Sequence, residues 1–219
     1  MLLFEILSSP NHPFLLIASF IIGIIVALTV HEYSHAWAAV KAGDMTPKLA
    51  GRLTLNPLAH LDPLGTVFLL LVGFGWGKPV PINPLNFKNP QRSQALISLA
   101  GPISNFILAI FFGTILRFLT IYNFTNIYLI TILFYIIWIN IILGTFNLIP
   151  IPPLDGSKVL FAFTSQETAV AIESIGPWIL FGLLFLAFFT SFNIFSSVIS
   201  PIAQDIFKIV TGFPIPQLL

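Results

Sequence analysis

The chain has 219 residues, 57% of them hydrophobic and only 8% charged, against about 25% charge in ordinary soluble domains. Its net charge is +1 and its mean hydropathy +0.97; the basic residues are scattered, which excludes a nucleic-acid footprint and makes lipid the expected solvent. Cysteine is absent, which excludes disulfides, thiolate nucleophiles and cysteine-type zinc sites.

The N-terminal stretch "MLLFEILSSPNHP" lacks a basic n-region and a small-residue cleavage site, so no cleaved signal peptide is expected. A first membrane span is expected from about Pro13 to Val40, long enough to cross ~30 Å of hydrocarbon. A loop over 41–63 follows. The apolar piece from Leu64 to Trp76 reaches only about 20 Å as a helix and is expected to be re-entrant. Prolines at 79, 81, 84 and 90 then forbid helix, and the alternation of Val80, Ile82 and Leu85 suits a short strand or hairpin. Full spans are expected at Gln94–Leu119 and Ile127–Leu148, then a proline-broken stretch over 150–156. A partly helical polar segment (Lys158–Ser174), a further span from Pro177 to about Phe192 and an ambiguous tail complete the chain. The expected fold class is an all-α polytopic membrane protein: a bundle of about four to six transmembrane helices with a re-entrant segment and a short β-strand or hairpin. Residues 1–219 form one membrane-embedded domain, with a core over about 13–160 and C-terminal helices over about 161–219.

Lys41, Lys48, Arg52, Lys78, Lys88 and Arg92 all fall between the first two full spans. If the 64–76 piece is re-entrant they share one side, which the positive-inside bias makes cytoplasmic. The N-terminus is then outside, and the first span and the proline-broken stretch both approach the cytoplasmic face.

Within the first span, His31, Glu32 and His35 form H-E-x-x-H. On a helix, residues i and i+4 share a face, so both imidazoles can hold one ion, with Glu32 placed to act on a water. Ionisable groups at membrane depth are costly and by default functional. A third ligand is needed. Asp155 has the best context, following the irregular backbone "NLIPIPP" at the end of a span; His60 is the alternative.

Three motifs in order, "HEYSH", "AGPISN" (Ala100–Asn105) and "FNLIPIPPLDG" (Phe146–Gly156), resemble the site-2 protease family of intramembrane zinc metalloproteases. "GRLTLNPLAHLDPLGT" and "GKPVPINPLNF" are similar to its compact prokaryotic branch, and the chain leaves no room for a PDZ or CBS domain. The resemblance implies a core of three helices, one zinc ion per chain on His31, His35 and Asp155, and Glu32 as general base. It also implies that Asn147, and Asn105, position substrate or stabilise an oxyanion. The residues read alone leave Asn105 open as a simple interhelix bond, beside Gly101 and Ser104, which permit close helix approach.

The implied activity is hydrolysis of peptide bonds within or near transmembrane segments, by a zinc-activated water in a prokaryotic cytoplasmic membrane, with the active site nearer the cytoplasmic side. The partners are a transmembrane protein or peptide substrate and the bilayer. Val80, Pro81 and Ile82 could pair with the unwound substrate by strand addition. The alternatives are a membrane zinc transporter and a zincin acting at the membrane surface.

Overall fold

A computed structural model describes residues 12–72, 75–189 and 195–215. The N-terminal signal reading, and parts of the 64–76 piece and of the tail, lie outside those residues. Asparagines and prolines punctuate the apolar sequence. Helix α1 (Pro13–Lys41) opens on a proline, whose missing N–H would have no helical partner at that position. A one-turn helix α2 (Thr46–Leu49) follows, then a 3-10 turn at Pro57–Ala59 capped by the Asn56 side chain and helix α3 (Pro63–Val72). Another 3-10 turn at Pro84–Asn86, capped by Asn83, leads into α4 (Pro90–Ile121). Helix α5 (Ile127–Asn147) is capped by Asn126, whose oxygen accepts the Leu129 N–H. The short α6 (Asp155–Phe161), α7 (Gln166–Phe189), a π-helical turn (Phe195–Ile199) and α8 (Ser200–Thr211) complete the order.

Among the described residues four helices, α1, α4, α5 and α7, are long and apolar enough to cross a membrane, the low end of the expected number. Helices α1, α4 and α5 pack on one another, α6 lies on α4, and α8 packs on both α4 and α5. The apolar core forms where Leu116, Phe134, Ile137, Ile141 and Phe207 meet. Close approach at this seam depends on Gly23, where a Cβ would stand 2.9 Å from the Tyr135 carbonyl oxygen.

Two boundaries and one element differ from expectation. Helix α4 begins at Pro90 and not Gln94, because Asn89 caps it and accepts the Arg92 N–H. Helix α7 absorbs Pro177 in its interior and starts at Gln166, so it takes in half of the polar segment. The strand or hairpin over Val80–Ile82 does not form: among the described residues there is no strand, only one isolated antiparallel bridge between Leu61 and Gly77. Pro79 and Pro81 remove two of the donors that a ladder needs. At ten residues, α3 reaches about 15 Å, half the hydrocarbon thickness.

Candidate metal centre

The helical period brings His31 and His35 to one face of α1, their rings edge to face with centroids 4.6 Å apart. Gly101 of α4 makes the room: a Cβ there would lie 2.5 Å from His35 Nε2 and 2.7 Å from His31 Cε1. Asp155 enters from the first turn of α6. The backbone folds back tightly to deliver it, since a Cβ on Gly156 would fall 2.2 Å from the Leu148 carbonyl oxygen. Thus α1, α4 and the α5–α6 connection each contribute one wall.

Three atoms converge. His31 Nε2 and His35 Nε2 are 3.0 Å apart and stand 3.1 and 3.2 Å from Asp155 Oδ2. These edges approach the ~3.3 Å separating ligands about a tetrahedral ion at ~2.0–2.1 Å. The surrounding hydrogen bonds fix the tautomers. Asn105 Nδ2 donates to the Ala27 carbonyl (3.0 Å) and to Asn140 Oδ1 (2.9 Å), so the oxygen of Asn105 faces His31 Nδ1 at 2.6 Å and takes its proton. His35 Nδ1 donates to the Ile97 carbonyl at 2.7 Å. Each imidazole therefore turns a bare Nε2 lone pair to the centre. Asp155 Oδ2 is buried without a hydrogen-bond donor. Three acceptors facing one another at 3 Å repel unless a cation lies between them, and two imidazoles with a carboxylate suit zinc. No other group of three or more His, Asp or Glu ligand atoms gathers among the described residues.

The remaining site expectations fall in different places. Glu32, partly buried, is next in sequence to the ligands and faces Arg52, with Oε2 to Nη2 at 3.9 Å. Asn105 stands behind His31 with both amide hydrogens committed, so it has none left for substrate. Asn147 donates to the Leu143 carbonyl, one turn back on α5. His60 is buried away from the triad; its Nε2 donates to the Thr54 carbonyl and its Nδ1 faces Arg52 Nη2 at 3.5 Å. Val80–Ile82 run irregularly, with Ile82 against the cluster of Ala39, Phe87 and Ile97.

Two residues escaped the sequence reading. Asn140 of α5 holds Asn105 by accepting from its Nδ2. Arg52, counted there only as a loop charge, is 4% exposed and joins three segments. Its signal was a lone arginine within "AGRLTLNP", too common a pattern to stand out.

Comparison with known proteins adds the chemistry these geometries serve. The profile of Peptidase family M50 matches residues 19–126 and 119–189. YwhC of Bacillus subtilis is 44% identical over 68% of this chain and 70% of its own length. Rip2 of Mycolicibacterium smegmatis is 30% identical over 72% of this chain and 62% of its own. Both carry zinc metalloprotease in their names. The regulator of sigma-E protease RseP of Escherichia coli is 32% identical over 43% of this chain and 24% of its own length. No solved structure gives a significant match.

Proposed function

Because the chain belongs to peptidase family M50, the site-2 protease family of zinc metalloproteases, we propose that it hydrolyses peptide bonds within or beside transmembrane segments of membrane proteins. The observation that carries this reading is the convergence of three proton-free acceptor atoms, His31 Nε2, His35 Nε2 and Asp155 Oδ2, beside an adjacent carboxylate inside a helical membrane bundle.

His31, His35 and Asp155 would hold the zinc ion. When bound, zinc supplies a Lewis acid that polarises the scissile carbonyl and makes water nucleophilic near neutral pH. Glu32 takes a proton from the attacking water as its oxygen bonds to the carbonyl carbon, then returns it to the leaving amide nitrogen as the C–N bond breaks. Asn105 keeps the His31 ring in the ligating tautomer. Asn147, at the end of α5 beside the irregular 148–154 backbone, is the amide proposed to meet substrate. Its Nδ2 makes one recorded hydrogen bond and has a second hydrogen to give.

A helical substrate hides its carbonyls in its own hydrogen bonds, so it must unwind to be cut. Residues 80–82, irregular and without hydrogen bonds of their own among the described residues, are proposed to receive the unwound segment. Helix α3, too short to cross, is proposed to be re-entrant, which leaves Lys41, Lys48, Arg52, Lys78, Lys88 and Arg92 on one side of the bilayer. The positive-inside bias makes that side cytoplasmic and places the metal end of the bundle there.

The test is zinc content with cleavage of a membrane-anchored reporter, in detergent-purified protein. About one zinc per chain is expected in wild type and in Glu32→Gln, with loss in Asp155→Ala. Glu32→Gln should abolish cleavage. Undiminished zinc in Asp155→Ala would remove that residue from the ligand set, and a fully active Glu32→Gln would remove the base.

A further inference from the structure

Arg52 is the one buried arginine or lysine among the described residues, and its guanidinium reaches two consecutive backbone carbonyls. Nη1 donates to the Pro79 carbonyl at 2.7 Å and Nη2 to the Lys78 carbonyl. The same Nη2 faces Glu32 Oε2 at 3.9 Å. His60, locked by its own bond to the Thr54 carbonyl, backs the guanidinium through Nδ1 and returns its carbonyl to the Lys78 N–H at 2.8 Å. Four residues further along, Asp44 takes hold of the chain again, accepting the Asn83 N–H at 2.8 Å and the Asn86 side-chain amide at 2.6 Å. Residues 80–82 are thus slung between two buried charged anchors.

Between those anchors the backbone is unspent. Pro79 and Pro81 have no N–H, while the N–H groups of Val80 and Ile82 and the carbonyls of 80–82 make no hydrogen bond within the described residues. Ile82 packs inward on Ala39, Phe87 and Ile97, which fixes the direction of the alternating groups. Val80 precedes Pro81 and is biased away from helical backbone, so free donors and acceptors on this pinned stretch can pair with another strand, and the pin nearest Glu32 is Arg52.

We propose that Arg52 is a positioning residue for substrate: its two-pronged grip on the 78–79 carbonyls ties the stretch that leads into residues 80–82 to the side of Glu32, so that an unwound substrate segment pairs there within reach of the metal centre. This rests on the proteolytic reading above. A planar fork suits the task because it serves two carbonyls and one carboxylate at fixed spacing; a lysine ammonium on its flexible stem does not.

The experiment uses the zinc-loaded Glu32→Gln protein, which binds without cutting, and a labelled apolar peptide of about 25 residues with a central Asn-Gly pair. Two readouts are taken: the peptide's Kd, and hydrogen exchange of the 77–87 region with and without peptide. Adding Arg52→Lys or Arg52→Gln should weaken binding about tenfold or more and abolish the peptide-induced protection, with zinc content unchanged. Equal affinity and equal protection with and without Arg52 would overturn the proposal. So would loss of zinc or of cooperative unfolding in both variants, which would make Arg52 a structural support only. Failure of the wild-type protein to cut the same peptide would count against the proteolytic reading instead, and the binding comparison would still decide the role of Arg52.

Discussion

At the metal centre, orientation matters as much as identity. His31 and His35 could present either ring nitrogen, and the choice is made by what lies behind them: the oxygen of Asn105 for one and a helix carbonyl for the other. Asn105 is in turn oriented by Asn140 and the Ala27 carbonyl, so a chain of amides running from α5 through α4 sets the tautomer of His31 on α1. Partners of this kind contribute to metal affinity without touching the ion. Replacing Asn105 with leucine, similar in size but without polar atoms, should weaken zinc binding about 10- to 100-fold, read by competition with a chelator. The His35 bond to the Ile97 carbonyl is independent of Asn105 and should survive.

Among the elements, the 42–89 connection is the most heavily tied. Asp44, just past the end of α1, is fully buried and accepts the Thr46 N–H and hydroxyl, the Asn83 N–H and the Asn86 amide. Burial pushes its carboxyl up, but those donors outweigh burial and hold it below the ordinary carboxylate value. The stability it lends is therefore complete above its unfolded pKa, at about pH 4, and is lost as pH falls through the lower folded value. Hydrogen-exchange protection of residues 83–87 should be level above about pH 4 and fall below it. In Asp44→Asn the protection should be weak at every pH, because one donor loses its acceptor at a cost of about 1–3 kcal/mol.

Over the whole molecule, the site rests on a three-helix core, α1, α4 and α5, to which α8 adds a fourth face. Phe207 of α8 is fully buried and meets Phe134 and Trp138 edge to face. Phe207→Ala should destabilise the bundle by about 3 kcal/mol or more in thermal unfolding, with zinc stoichiometry unchanged below the transition. Helix α7 is different: only 11% of its most apolar stretch is buried, and among the described residues it makes no extensive packing with the other helices.

The elements and the centre were legible to different depths, for one physical reason. Spans α1, α4 and α5 are long, apolar and punctuated by proline and asparagine, so local composition determined them; so did the pairing of His31 with His35, which needs only the helical period. Asp155 was legible because the prolines before it cannot be regular helix and must line protein. The contacts of Asn105 with His31, of Arg52 with the 78–79 carbonyls and of Gly101 with both imidazoles join residues far apart in the chain. The absence of a strand at 80–82 is likewise a question of which partner lies alongside. Periodicity and motif spacing act within a few turns, whereas these pairings depend on how the helices cross. The sequence by itself therefore determined a membrane bundle and the two histidines that share one face of its first helix, and only the tertiary structure decided that Asp155 meets them, which side chains orient the two imidazoles and which grip the 78–79 carbonyls, because those pairings depend on how distant segments cross.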